Sequence, residues 1–518
     1  MSLRLLFTFF FCLQLLVERV SANEVVSNNQ LSLSRAIDQA LENNLGLLTS
    51  RTRPADALDD VEVAESVFDP DLFGSVSFSE SQAAASGSTL DSASRPESES
   101  RSTRVGAEKL FSSGATVTAS SNLNRRNSNN NALLSPDYSS NVGIDFSQPL
   151  ISGAWSEINL APIARARLQA DQSLFELRSD ILDVMLETEL AYWNLAFAVE
   201  NRALISSRIE LAESLLEENT ERRRLGLVTL LEVLQAETEL LNQQEAAILA
   251  DREIEEFQDV LRRVIGMESL MDHPKKSLQV ASMPGDLPSP STIEDVVREA
   301  IASDEEAKAQ EKVIEVQRIN QLLARDSTRI NLDLTGSITY QGRDEDGYDA
   351  YSGAYAADGY AWDFGLALRF PWSFRGERAE LRKAVRAVER EEIRLYEIKE
   401  EKALAARNAW RAADAGLKRI QVTRKALRLN KEAFEQERAR FGEGLIAYRQ
   451  LLEAQRDYDN ARSSYLSARI QTLRAIVRLS RVDGTILMRN GFTWERLDRL
   501  SKNLEFDTHP IIGSSANN

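Results

Sequence analysis

Two long stretches of the chain, residues 153–224 and 376–441, carry apolar residues at every seventh position. The heptad positions of the first stretch are Leu177, Val184, Ala191, Ala198, Ile205 and Ala212. Those of the second stretch are Ala406, Ala413, Ile420, Leu427, Phe434 and Phe441. A sustained heptad repeat is typical of helices packed side by side. At ~1.5 Å per residue, each stretch predicts a helix about 100 Å long.

Four shorter segments carry a similar helical pattern. They are residues 31–66, 228–265, 291–328 and 445–482. The first two together are about as long as the first heptad stretch, and the last two match the second stretch. We therefore expect two short helices to stack end to end beside each long helix.

Residues 330–340 and 360–372 instead alternate apolar with polar or small side chains, and Tyr or Trp stands near their ends. Alternation alone also fits a soluble β-sandwich, but this length and the terminal aromatic residues favour membrane-spanning strands. The link 341–359 is rich in Asp, Gly and Tyr and is predicted to be an exposed loop. The second β-hairpin region is therefore residues 330–372.

Residues 68–150 form another predicted β region. Its first and last strands alternate in the same way, and residues 103–122 suggest an additional hairpin around Gly114. The segments 81–102 and 123–139 are rich in Ser and Asn and are expected to be mobile linkers.

The order helix, β region, long helix, short helix thus occurs twice. Residues 23–265 form the first predicted repeat and residues 291–482 the second. The proline-rich residues 266–290 link them, and residues 483–518 form a C-terminal tail. The sequence therefore predicts an internal duplication.

The first 22 residues have the pattern of a cleaved signal peptide. Arg4 precedes an apolar run from Leu5 to Leu16, and Val20-Ser21-Ala22 suits cleavage before Asn23. Cys12, the only cysteine, would be removed with the signal. The run is too short to span a bilayer, and no later run reaches about 18 apolar residues.

Composition excludes several classes of function. The net charge of −18 disfavours a nucleic-acid partner, because phosphate binding needs basic surfaces. The only histidines, His273 and His509, lie in loop-like contexts next to proline, which argues against a catalytic triad. A chain with one cysteine has no cysteine-based zinc site or disulfide framework. We therefore expect no enzyme activity, cofactor or metal.

Each half supplies two predicted spanning strands, or four where the hairpin 103–122 also spans. So few strands cannot enclose an open lumen, and unpaired strand edges are not tolerated in lipid. Several copies would therefore share one barrel.

The sequence resembles the TolC-like outer membrane efflux protein family over essentially the whole mature chain. The resemblance rests on the doubled plan, on Leu31–Leu41 with Asn43-Asn44, and on Ser147-Gln148-Pro149-Leu150. It also rests on two similar turns. One runs from Arg222 to Gly226-Leu227-Val228, and the other from Arg440 to Gly444-Leu445-Ile446.

The resemblance implies an α+β membrane protein that forms a homotrimer. Its transmembrane β-barrel is shared among the copies and is continuous with a long α-helical barrel in the periplasm. The implied function is a passive exit duct in the outer membrane of a Gram-negative bacterium, for a tripartite efflux pump or type I secretion system. The implied partners are outer-membrane lipid, a periplasmic adaptor and an inner-membrane transporter. Family members have four strands per chain, so the hairpin at 103–122 is a departure.

The resemblance also implies that the two turns meet the adaptor. The docking residues would be Gly226, Leu227, Val228, Gly444, Leu445 and Ile446. Glycine permits the tight reversal between antiparallel helices, and exposed aliphatic side chains give the partner an apolar contact. The alternative is that all six are ordinary turn residues.

The resemblance also implies acidic rings just inside the turn of the second repeat, which attract cations and repel anions. Those positions fall on Gln450, which departs from the acidic pattern, and on Glu453, which keeps it. Glu232 matches a position that makes gate-closing links to a neighbouring helix, with Arg440 and Arg222 as candidate partners. Alternatively, these side chains form surface pairs worth ~0–1 kcal/mol.

Two other functions compete with the exit duct. A periplasmic coiled-coil scaffold without a pore explains the heptads but not the alternating segments. A secreted enzyme lacks a catalytic constellation. The sequence does not name the cargo.

Overall fold

The computed structural model describes residues 30–82, 84, 95, 97–129, 136–266, 278–495 and 497. The predicted signal peptide, with Cys12, and both histidines lie outside the described residues. In chain order the elements are β1 (Gln30–Leu31), α1 (Leu33–Asn43), α2 (Leu45–Ser66), β2 (Asp71–Gln82), β3 (Glu97–Leu110), β4 (Thr116–Ser128), β5 (Asp137–Pro149), α3 (Ser156–Asn159), α4 (Ala161–Arg224), α5 (Leu230–Val264), β6 (Gln279–Val280), α6 (Ile293–Ala302), α7 (Glu305–Asp326), β7 (Asn331–Asp344), α8 (Gly347–Ala356), β8 (Gly359–Arg369), α9 (Arg375–Gly442), α10 (Tyr448–Val482) and α11 (Ile486–Arg489).

The chain divides into two compact units. The sheet unit consists of Thr52–Leu177 and Glu305–Lys399, and the helical unit contains Arg178–Asp304 with the residues up to Arg51 and from Glu400 onward. Most described residues are helical. Within the described part of the chain, no helix is both long enough and apolar enough to cross a membrane.

The described residues of the sheet unit form one antiparallel sheet of six strands, in the order β2-β3-β4-β5-β7-β8. Side chains alternate between its two faces. The apolar face carries aliphatic and aromatic residues such as Ile144, Ile338 and Trp362, which lie opposite one another on β5, β7 and β8. The polar face carries mainly Ser, Thr and Asn. The sheet therefore presents an apolar surface on one side and a polar surface on the other.

The segments expected as linkers, 81–102 and 123–139, are largely strand, so that expectation is wrong for most of the residues described. β3 and β4 pair over their whole lengths and belong to the same sheet as the other four strands. Their polar residues pair across the strands: Ser100 Oγ lies 2.9 Å from Asn124 Oδ1, and Ser102 Oγ lies 3.1 Å from Asn122 Oδ1. Half of the side chains of these strands lie on the polar face of the sheet. The two segments are therefore low in apolar residues although they form strands, which is why they were predicted to be linkers.

The link 341–359 contains helix α8, which corrects the expectation of a plain loop. Asp346 starts the helix, because its Oδ1 accepts a hydrogen bond from the Tyr348 backbone N–H at 2.8 Å. The Asp residues that suggested a loop thus include a helix cap.

The short segments 31–66 and 291–328 are each two helices rather than one. The first break occurs at Asn44, whose Nδ2 donates to Val264 O at 2.8 Å while its Oδ1 accepts from Leu47 N–H at 3.0 Å. The second lies at Ser303 and Asp304. Asparagine and serine side chains compete with the helical backbone for hydrogen bonds, so heptad spacing alone missed both breaks.

The largest core cluster of the helical unit surrounds Tyr192 on α4. Its hydroxyl donates to Leu31 O at 2.9 Å and accepts from Ala281 N–H at 2.8 Å, which holds the short β1–β6 pair against the helix. Burial raises the pKa of Tyr192, so the hydroxyl stays protonated.

Tyr192→Phe is expected to lower the free energy of unfolding by about 1–3 kcal/mol, because it leaves the Leu31 carbonyl and Ala281 N–H without their partner. Thermal unfolding followed by circular dichroism measures this effect. Tyr351→Phe is the control, since that hydroxyl belongs to an exposed tyrosine pair. Equal melting temperatures for all three proteins would contradict the role given to Tyr192.

Candidate functional site

The first helix–helix turn follows α4 and is closed by two backbone hydrogen bonds. Leu227 N–H donates to Arg222 O and Gly226 N–H donates to Arg223 O, both at 2.9 Å. This is the Schellman pattern, which requires a left-handed residue after the helix. Gly226 supplies it with φ of 74°. A Cβ there would meet no atom within 4 Å, so the backbone conformation, not crowding, calls for glycine.

The second turn, after α9, has the same backbone. Leu445 N–H donates to Arg440 O and Gly444 N–H donates to Phe441 O, again at 2.9 Å. Gly444 has φ of 76° and open space around it. The two turns are therefore equivalent in their hydrogen bonds and in the residue that closes them.

A shared apolar core lies behind both turns. We call it the tip cluster; its members are Leu215, Ala236, Phe434, Phe441, Tyr448, Leu451 and Leu452. These residues come from all four helices that enter and leave the turns, α4, α5, α9 and α10. Phe434 stacks on Tyr458 with ring centres 5.6 Å apart. The helix ends are thus packed on one another, which fixes the positions of the turns.

Arg222 joins the two turns directly. Its guanidinium lies 4.2 Å from the centre of the Phe441 ring, and Nη2 donates to Phe441 O at 3.0 Å. The same side chain pairs with Glu218 at 2.8 Å. The cation–π contact with Phe441 and the hydrogen bond to a carbonyl at the end of α9 both stabilise the Arg222 side chain in this position. Arg222 therefore fastens the end of α4 to the end of α9.

Glu232 and Arg440 have local partners within the chain. Glu232 Oε2 accepts a hydrogen bond from the Thr229 backbone N–H at 2.7 Å, which caps the start of α5. Arg440 pairs with Glu437 on its own helix at 2.9 Å. The structure of one chain thus does not bring Glu232 together with Arg222 or Arg440.

Gln450 occupies the position in the second turn that Glu232 occupies in the first. The cap residue there is Ala447, which has no side-chain oxygen, so the capping pair of the first turn has no counterpart. Gln450 and Glu453 are both exposed, whereas Leu451 and Leu452 between them are buried in the tip cluster. The two polar residues therefore share the outward face of α10. Asp457, one turn further, extends that exposed face; the spacing of four residues could have identified it from the sequence.

The six predicted docking residues differ in exposure. Leu227 and Leu445 are 71% and 65% exposed, whereas Val228 and Ile446 are only half-buried. Ile446 packs against the tip cluster. The geometry therefore separates two protruding leucines from two residues that partly support the turn. Leu225, which is not among the six predicted docking residues, protrudes similarly with 66% exposure.

Charged groups are also buried on α4 and α10, further from the turns than most of the tip cluster, and no sequence pattern predicted them. Arg208 on α4 pairs with Asp459 on α10 at 3.1 Å, with both side chains less than one-fifth exposed. Burial raises the pKa of Asp459, while Arg208 and Arg462 oppose that shift. Burial and nearby Glu239 raise the pKa of Tyr448 to about 12. Tyr448 is therefore neutral at physiological pH.

The described residues contain no group of three or more side chains suited to holding a metal ion. The arrangement at the turns offers instead two equivalent apolar projections and an exposed polar helix face. These features suit contact with another protein more than chemistry on a bound substrate.

Comparison with known proteins agrees with these features. The family model described as outer membrane efflux protein matches residues 112–267 and 296–485. The search of curated proteins gave no match.

Solved structures show the same fold. The Campylobacter jejuni CmeC outer membrane channel has 18% identity and a TM-score of 0.66, over 92% of this chain and 90% of that one. The outer membrane protein VceC from Vibrio cholerae has 15% identity and a TM-score of 0.62, over 87% and 96%. The open state of the Neisseria gonorrhoeae MtrE outer membrane channel has 17% identity and a TM-score of 0.58, over 87% and 88%.

Proposed function

The chain belongs to the outer membrane efflux protein family, located in the outer membrane, and we propose from this premise that it is a passive exit duct. It would receive substrates from an inner-membrane transporter of a tripartite pump or type I secretion system and release them outside the cell. The observation that carries the proposal is the six-stranded sheet, with one apolar face, one polar face and two edges unpaired within the described chain. No step requires catalysis.

The open edges are the reason to propose an assembly of copies. β2 and β8 each have a neighbour on one side only, and unpaired backbone groups are costly in lipid. Pairing β2 of one copy with β8 of the next satisfies both edges. Three copies, the number implied by the family, give a closed barrel of eighteen strands. Barrels of about this size enclose a water-filled channel.

The polar face then lines the channel. Across β3 and β4 it carries mainly serine and asparagine, including the paired Ser100–Asn124 and Ser102–Asn122. The apolar face contacts lipid. Because the β3–β4 hairpin adds two strands to the four typical of the family, we propose a wider barrel than in four-stranded members.

We also propose that the chain is an internal duplication, with repeats at residues 23–265 and 291–482 joined by residues 266–290. The equivalent turns support this division, because each has the same two hydrogen bonds and a left-handed glycine. In the assembly, the turns of all copies would form the periplasmic end that meets an adaptor protein.

Gln450 and Glu453 are proposed to line the pore at that end. In a trimer, Glu453 contributes three carboxylates around one axis, which favour cations and repel anions. Glu232 is proposed to close the pore through links to a neighbouring helix, with Arg222 and Arg440 of an adjacent copy as its candidate partners. Arg222 is the central member, since it links the two turns of one chain.

Glu453→Gln is expected to reduce the cation-to-anion permeability ratio of the reconstituted channel several-fold, because three charges leave the narrowest part of the path. Reversal potentials in a salt gradient across a planar bilayer measure this ratio. Glu256→Gln is the matched control, since Glu256 is an exposed member of a helix-surface pair with Arg252. An unchanged ratio in Glu453→Gln would remove Glu453 from the pore.

The proposed function is tested by purifying the protein from outer membranes in detergent. Single-particle images should show threefold particles, and reconstituted protein should conduct ions without added energy. Monomeric particles that carry no current would overturn the duct and favour the scaffold.

A further inference from the structure

One row of the apolar face contains two arginines side by side. The register places Phe78, Arg101, Arg125 and Tyr138 directly opposite one another on β2, β3, β4 and β5. Arg101 lies 5.7 Å from the Phe78 ring centre, and Arg125 lies 5.9 Å from that of Tyr138. A pair of arginines with an aromatic ring on either side thus lies near one end of the mainly apolar face.

The positive charge of this row is only partly neutralised within the chain. Like charges directly opposite on adjacent strands are destabilising. Arg101 pairs with Glu99 at 3.0 Å, whereas Arg125 Nε has no hydrogen-bond partner among the described residues. The two guanidinium groups can therefore donate hydrogen bonds to an anion placed between them.

The row lies where the apolar face ends. Toward the helices, β3 continues with Thr103, Val105 and Ala107. In the other direction, the next pair on the same face is Glu80 and Glu99. The distance along β3 from Arg101 to Lys109, the next basic residue of this face, is roughly 26 Å at ~3.3 Å per residue. That is close to the height of the apolar band of a membrane barrel.

We propose that Arg101 and Arg125 bind the phosphate of a phosphorylated lipid in the outer leaflet of the outer membrane. This inference rests on the proposed function, which puts the helices in the periplasm and this end of the strands outside. Guanidinium forks match phosphate oxygens, and Phe78 beside them and Val105 further along β3 offer apolar surface to acyl chains. The lipid phosphate reduces the repulsion between the two arginines.

The test uses the full-length protein in detergent and diphosphoryl lipid A as the probe. Diphosphoryl lipid A should raise the melting temperature, while dephosphorylated lipid A and inorganic phosphate should not. Arg101→Gln with Arg125→Gln should weaken lipid binding at least tenfold. Arg104→Gln with Arg126→Gln is the matched control, because these arginines lie on the polar face of the same two strands, and binding should be unchanged.

Three results would overturn the proposal. Equal binding by the Arg101/Arg125 variant would remove the site, and equal binding of dephosphorylated lipid would reduce it to an apolar contact. Stabilisation by inorganic phosphate alone would make it a free-anion site. Arg101→Lys with Arg125→Lys should retain part of the binding, which separates charge loss from misfolding. Conductance of the same samples tests the duct independently, so either proposal can fail without the other.

Discussion

Arg208→Met is expected to lower the free energy of unfolding by about 3–5 kcal/mol, the loss typical when one partner of a buried ion pair is removed. Arg208 Nε lies 3.1 Å from Asp459 Oδ1, and Nη2 also donates to Asp459 O at 2.7 Å and Ser463 Oγ at 2.6 Å. Methionine fills similar volume but leaves the Asp459 carboxylate buried without its nearest cation. The melting temperature of the purified protein measures the loss.

The pH dependence of this effect identifies its cause. Burial already raises the pKa of Asp459 in the native protein, and removal of Arg208 should raise it further. A group with a raised pKa in the folded state contributes stability below its unfolded pKa and loses it as pH rises through the folded pKa. The penalty of Arg208→Met should therefore shrink as pH falls toward about 4, near the unfolded pKa of Asp. A penalty independent of pH would point to lost packing.

Arg252→Met is the matched control for the same substitution. Arg252 pairs with Glu256 at 3.3 Å, and both side chains are more than 60% exposed. Surface pairs of this kind contribute about 0–1 kcal/mol. A comparable loss of unfolding free energy in both variants would show that the buried ion pair stabilises the protein no more than a surface pair does.

Local chemistry explains what was predictable from the sequence at the turns. A glycine that ends a long heptad stretch and precedes Leu or Val is a strong signal for a left-handed helix end, and Gly226 and Gly444 have that conformation. The spacing of Gln450 and Glu453 likewise put them on one helix face. Both inferences depend on residues within one or two turns of each other.

Contacts between distant parts of the chain were not predictable in this way. The Arg208–Asp459 pair joins residues that a heptad pattern treats as ordinary polar positions. The row of Arg101 and Arg125 depends on strand register, which is set by pairing over the whole hairpin. The extent of the strands was also underestimated, because a polar sheet face rich in Ser and Asn has the same composition as a mobile linker. Sequence periodicity identifies apolar faces, whereas the contacts and strand residues that it missed here are polar.

Leu227→Asp combined with Leu445→Asp is expected to abolish adaptor binding and substrate export. Both side chains project from equivalent turns with more than 60% exposure, and neither belongs to the buried tip cluster. Apolar anchors at the centre of an interface commonly contribute over about 1–2 kcal/mol each, so losing two should weaken binding by at least tenfold. A carboxylate in each position also adds a desolvation cost.

Because the two leucines are exposed in the free chain, the Asp variant should keep its fold and particle size. Co-purification with a co-expressed periplasmic adaptor protein measures binding, and drug or protein export from cells measures function. Leu227→Met with Leu445→Met keeps an apolar side chain and should bind as the native protein does. Normal adaptor binding by the Asp variant would show that the turns only reverse the chain. Loss of binding together with loss of the native melting temperature would instead assign the leucines to the stability of the tip cluster.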